Sequence, residues 1–175
     1  MKLLGLVIRN DLSWKSNTEN MTQRAYKRLW MVQRLKLNGA NLDDLTDVYT
    51  KQIRSVLEFG APVWNSNLTQ EEVASIEREQ KSYLHIVLGA QYHSYESALK
   101  TANLESLEER RTQLCLKFAI KASKHPKHQN WFVGNTPSGA DTRSEKVHFR
   151  PPLCRLKRYV KSPIPYLTNL LNSRK

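Results

Sequence analysis

Cysteine is scarce in this chain: Cys115 and Cys154 are the only two in 175 residues, and they lie far apart. That spacing excludes a disulfide framework and a zinc knuckle, both of which need clustered or paired thiols, and it fits a reducing compartment. Long apolar runs are missing too. No stretch approaches the roughly 20 residues of a membrane span. The apolar opening, Met1 to Ile8, gives way to Arg9-Asn10-Asp11 without a small-residue cleavage site, so no secretory signal is expected. The chain also has neither a Gly-rich phosphate loop nor a Ser-centred elbow, and no small-molecule substrate site is evident. Acidic residues are few: 16 Asp and Glu face 28 Lys and Arg, for a formal net charge of +12. Such an excess favours a polyanionic partner. Without a lipid-binding amphipathic motif the expected polyanion is nucleic acid rather than a membrane, and the expected location is intracellular, nuclear or cytoplasmic.

What is present reads mainly as helix, in a chain long enough for one cored domain or for part of a larger protein. Leu3-Leu4-Gly5-Leu6-Val7-Ile8 is a β-like run without an evident partner, expected to belong to a sheet whose other members are missing or weak, and Asn10 to Trp14 is a turn. Ser16-Asn17-Thr18 offers caps for a helix from about Glu19 to Leu37, ended by Gly39. On it Met21, Ala25, Leu29, Val32 and Leu35 form one face and Tyr26, Trp30 and Leu37 a second, as in a helix set between neighbours in a bundle. Leu45, Val48, Tyr49, Ile53, Val56 and Leu57 recur at helical spacing until Phe59-Gly60-Ala61-Pro62 stops the pattern before Val63-Trp64. Thr69-Gln70-Glu71-Glu72 and Ser106-Leu107-Glu108-Glu109 are capping boxes, opening helices towards Gly89 and Ser123, with a short helix at Tyr95 to Ala102 between them. From Lys124 onward the texture turns irregular, with Gly134 to Thr142 rich in Gly, Pro, Ser and charge. A final helix is expected after Ser162-Pro163.

The order of these segments resembles the C-terminal end of reverse transcriptases of non-LTR (LINE-type) retrotransposons. Leu3 to Ile8 with Asp11-Leu12-Ser13-Trp14 is similar to the family's "FLG-(V/I)-x-(I/L)…LSW" segment, with Leu4 where Phe is commoner. Ala25, Lys27-Arg28-Leu29 and Arg34-Leu35 match the helix that follows it. Ile53 to Trp64 resembles "I-R-P-V-L-E-Y-A-x-P-V-W", with Ser55 in place of Pro. Leu84 to Leu88, Tyr95 to Leu99, Leu104 to Arg111, Leu114 to Phe118 and Ser162 to Asn172 match later blocks, so the likeness covers nearly the whole chain. It implies a residual palm-end β segment at 1–15, a thumb-like helical bundle at 16–123 and a basic, partly irregular region at 124–175 that closes with a short helix. The role it implies is to hold the RNA template and DNA primer behind the active site of an RNA-directed DNA polymerase. The parent enzyme would use a divalent metal, Mg, held by palm carboxylates. Those carboxylates are not among these residues. Asp43-Asp44 follows the palm-end motif instead of preceding it, and is expected to cap the second helix and complement its dipole, so no catalytic residue, metal ligand or cofactor is assigned.

Other chemistry is poorly served. His125-Pro126-Lys127-His128 lacks a third ligand, and Cys115 among Leu114, Leu116 and Phe118 reads as core. The candidate site is therefore basic. Arg24, Lys27, Arg28, Arg34 and Lys36 crowd the first helix, opposed there only by Glu19, and Arg155, Lys157 and Arg158 beside Tyr159 mix cations with an aromatic ring. Both sets could equally be a solvated flank and a non-specific polybasic tail. Two alternatives to a polymerase fragment stay open: a non-catalytic helical module that binds nucleic acid, and a degenerate element remnant without a function of its own.

Overall fold

The structure is a computed structural model that describes residues 1–132 and 149–173, and it is mainly helical with a short antiparallel hairpin at its start. The segment Gly134 to Thr142 and the cations Arg143, Lys146, Arg174 and Lys175 lie outside the described residues. Two compact units are formed. The first takes Met1–Gly60 and Leu68–Arg111, and the second takes Ala61–Asn67 and Thr112–Lys175.

In the first unit the apolar opening folds back on itself. Strand β1 (Lys2–Leu3) pairs with β2 (Leu6–Val7), Lys2 opposite Val7 and Leu3 opposite Leu6. The two-residue link has φ of +46° at Leu4 and +88° at Gly5. Positive φ at both central residues matches the right-handed twist of a hairpin, and Gly5 adopts it without steric cost. Helix α1 (Lys15–Leu37) starts earlier than the capping signals implied. Its N-cap is Trp14, without a side-chain bond, because Asn17 is already helical and its Oδ1 accepts the Val7 N–H at 3.1 Å. A residue read as a cap instead ties the hairpin to the helix.

Helix α2 (Leu42–Val48) runs through a π-helical stretch, Tyr49–Arg54, into α3 (Ser55–Glu58). Leu45, Tyr49, Ile53 and Leu57 are the buried positions, spaced by four. An α-helix of 3.6 residues per turn drifts off such a stripe, and the wider π turn brings it back into line. Asn41 Oδ1 accepts the Asp44 N–H at 2.8 Å, so the cap is Asn41 while Asp43 and Asp44 occupy the first turn. Phe59 then leaves the helix in extended conformation, and Gly60 turns at φ +68°.

In the second unit α4 (Ala61–Trp64) follows at once, with Trp64 fully buried. Back in the first, α5 (Gln70–Leu88) and α6 (Tyr95–Thr101) open on capping boxes, Thr69 with Glu72 and Ser94 with Ser97. Helix α7 (Leu107–Ser123) opens on the expected box, Glu109 N–H to Ser106 Oγ at 3.2 Å with Ser106 N–H returning to Glu109 Oε2. The boundary between units falls inside α7, after Arg111, and not at residue 124 where the composition changes. The core of the second unit gathers Cys115, Ala119 and Ala122 of α7 with Phe132 and Leu167, flanked by Phe149, Tyr166 and Leu170. Short α8 (Lys157–Val160) and α9 (Pro163–Asn172) complete it, with Asn65 Nδ2 donating to Tyr166 Oη at 3.2 Å.

The first unit is pinned by a polar chain as well as by apolar packing. The Tyr49 hydroxyl donates to Gln80 Oε1 at 2.7 Å, Gln80 Nε2 donates to Tyr95 Oη at 3.1 Å and to the Glu105 carbonyl at 2.9 Å, and the Tyr95 hydroxyl donates to Glu77 Oε2 at 2.6 Å. Glu77 Oε1 in turn accepts the Glu108 N–H at 2.7 Å, adding a second anionic cap to α7. Tyr49 and Tyr83 stack with centroids 4.0 Å apart. Burial pushes the phenols of Tyr49 and Tyr83 above their ordinary pKa; that of Tyr95 is pushed up by burial and then by its bond to the Glu77 carboxylate.

Candidate nucleic-acid interface

Helix α1 carries one acid, Glu19, and its five candidate cations divide into two groups by what they touch. Arg28 Nη1 donates to the Gln52 carbonyl in the π-helical stretch. Lys36 Nζ donates to the Ile86 carbonyl at 2.6 Å, among the last, otherwise open carbonyls of α5, where a cation offsets the helix dipole. These two hold the first unit together. Arg24, Lys27 and Arg34 are exposed. From Arg24 to Arg34 the helix rises about 15 Å, the length of four or five phosphates of one strand in a duplex.

Among the described residues, nothing covers the second apolar face of α1. Tyr26 is 66% exposed, Trp30 61% and Leu37 73%, whereas Met21, Ala25, Leu29 and Val32 on the other face are buried. The expectation of a helix packed on both sides is therefore corrected, because α5 and the α2–α3 segment line one side only. Two aromatic rings one turn apart stand beside Lys27 and Arg34, an arrangement in which cations meet phosphates and rings offer stacking faces.

A cavity of about 350 Å³ opens where α1 meets the hairpin and α3, bounded in part by Leu6, Asn17, Arg24 and Phe59. The hairpin is seated there by two close approaches. A Cβ on Gly5 would meet the Phe59 ring at 3.1 Å, and one on Gly60 would meet Leu6 Cδ2 at 3.1 Å. Nothing in the spacing of residues pointed to this cavity. The unusual Phe59-Gly60 exit was the visible signal, since it brings an aromatic ring and a bare backbone together beside the hairpin.

In the second unit Arg155 is exposed, beside Leu156, on the approach to α8; the side chains of Lys157 and Arg158 lie outside what is described. Pro126–Trp131 forms a 3-10 helix, in which side chains three apart eclipse. His125, His128 and Trp131 accordingly form a ladder of rings, with centroid separations of 5.1 and 4.3 Å. Among the described residues no group of three or more His, Cys, Asp or Glu is placed to hold a metal ion. Asp43 and Asp44 are exposed in the first turn of α2 and, among the described residues, are joined by no third ligand, so they do not fit a two-metal polymerase site. Nor, among the described residues, is any helix long and apolar enough to cross a membrane.

No protein-family model, curated protein or solved structure matches this chain.

Proposed function

We propose that this chain is the template-primer-gripping part of a LINE-type RNA-directed DNA polymerase, a thumb-like helical unit that holds nucleic acid without catalysing its extension. The observation that carries the reading is the free basic edge of α1. Arg24, Lys27 and Arg34 stand exposed, the last two beside Tyr26 and Trp30, while Arg28 and Lys36 bond to neighbouring segments of the first unit. Rigid presentation of cations along a helix serves phosphate contact, which positions a strand without reading its sequence. The ordered likeness of nearly the whole chain to the polymerase family supplies the kind of nucleic acid, an RNA–DNA hybrid or its single-stranded continuation.

The test is fluorescence polarisation of a labelled RNA–DNA hybrid and of the matching single strands, titrated with the whole chain over a salt series. Binding that weakens steeply with salt supports the reading. No measurable affinity at low salt overturns it. A second reading keeps the nucleic acid and drops the polymerase, and it is favoured by the closed polar chain from Tyr49 to Glu77, which lies wholly within the first unit. Matched groups of this kind also argue against a marginally folded remnant.

A further inference from the structure

One residue lining the cavity beside α1 carries a donor that meets no partner among the described residues. Asn17 is 4% exposed, and its Oδ1 is committed to the Val7 N–H, which fixes the orientation of the amide. Its Nδ2 is buried and has no hydrogen-bond partner among the described residues, although Asn17 lines the cavity. Leaving such a donor unmet costs on the order of 1–3 kcal/mol, so it calls for an acceptor. A second polar group is complementary: Ser55 gives its hydroxyl hydrogen to the Lys51 carbonyl at 2.6 Å, which leaves its oxygen lone pairs to accept from whatever enters. Leu6, Met21, Val56 and Phe59 supply apolar walls, and the exposed residues Asn20 and Arg24 also line the cavity.

A flat apolar surface, the fixed Asn17 donor, the Ser55 acceptor, the Asn20 amide and one cation together suit a base with its phosphate. An aliphatic ligand would leave both polar groups without matched partners. A phosphate alone would leave the apolar walls empty. We propose that this cavity holds a single unstacked nucleotide, its base against the Phe59 ring and its edge on Asn17 Nδ2 and Ser55 Oγ, with its phosphate on Arg24. The inference rests on the nucleic-acid reading above and adds to it a site where one nucleotide leaves the stack. The volume, about 350 Å³, lies at the lower end of the range of ligand sites and suits one base.

The probes are a short single strand carrying one 2-aminopurine and the free 2-aminopurine ribonucleoside monophosphate, each titrated with the whole chain and with its variants. Extrusion of the label from between its neighbours raises its emission in the strand, and seating of the free monophosphate against Phe59 changes its emission from that in solution. Phe59→Ala abolishes both changes and weakens strand binding on the order of tenfold, and Phe59→Trp restores the binding. Arg24→Gln, a change at an exposed side chain, weakens binding while leaving the melting profile in place. An emission rise from the strand alone identifies the occupant as a nucleotide extruded from a bound chain; a change from the monophosphate with the same Phe59 dependence extends the site to a free nucleotide. Strand binding that depends on salt but shows no emission rise at any label position, or a rise untouched by Phe59→Ala, overturns the pocket and leaves the α1 reading standing. A monophosphate that responds while the strand fails to bind sustains the pocket and removes the α1 reading. Failure of both probes removes both.

Discussion

Glu79 sits on α5 with 8% of its surface exposed, and its Oε2 has no partner among the described residues. Burial raises its carboxyl above the usual range, with the neighbouring Arg78 charge opposing the shift. A raised folded-state pKa means that the native protein holds a proton the unfolded chain has already released. The stability linked to Glu79 is thus present at low pH and lost as pH rises through the folded pKa. Glu79→Gln is expected to raise the melting temperature at pH 7 and to change it little near pH 4, as thermal unfolding at the two pH values would report. The tyrosines give a second handle. Of the seven, Tyr49, Tyr83 and Tyr95 have raised phenols and should stay protonated until the chain unfolds in alkali, so an absorbance titration should show a delayed phase that merges with loss of helical circular dichroism. At this scale the sequence was partly legible. Arg28 and Lys36 follow Ala25 and Val32 by three and four residues, on the edge of the buried arc, whereas Lys27 and Arg34 sit beside Tyr26 and Trp30. The periodicity that found the apolar face could have sorted the cations as well. The Asn17 donor was beyond reach, because its role depends on a strand ten residues away.

Capping boxes were the most readable elements, since two residues three positions apart supply both halves of the bond. Thr69→Ala is expected to lower stability by about 1 kcal/mol in a denaturant titration. Ser106→Ala should cost less, because Glu77 also accepts from the start of α7, and the pair Ser106→Ala with Glu77→Gln should cost more than the sum of its parts. The hairpin was misread. Its four strand residues looked like one strand in need of an outside sheet, and only the positive φ at Leu4 and Gly5 folds the run back on itself. Gly5→Ala should therefore destabilise by about 1 kcal/mol or more, from strain at positive φ plus crowding against Phe59. The π-helical stretch was likewise hidden within a pattern taken as ordinary helix, although the spacing by four from Leu45 to Leu57 is its trace. The second face of α1 illustrates the opposite error. Apolar periodicity states that a face is apolar, not that something in the same chain covers it.

At the scale of the whole chain, a net charge of +12 and the exposed cations of α1 are the features on which the proposed nucleic-acid reading rests. Helix α1 has its own division of labour: buried residues and two cations hold the unit, while three cations and two aromatic rings face outward. Incubated with a primed RNA template, nucleotides and Mg²⁺, the chain is expected to extend no primer, because its described residues gather no carboxylate cluster for a pair of metal ions. Mainly helical architecture could be read from sequence, since caps and apolar spacing are local; the partition into units could not, because α7 runs unbroken through the boundary. The central claim is that Arg24, Lys27 and Arg34 hold phosphates. The direct measurement compares the salt dependence of RNA–DNA hybrid binding by the wild-type chain with that of a variant carrying Arg24→Gln, Lys27→Gln and Arg34→Gln together. Three released counterions predict that the log–log slope of the variant is shallower by about 2–3, with weaker binding at every salt concentration. An unchanged slope and affinity would contradict the claim.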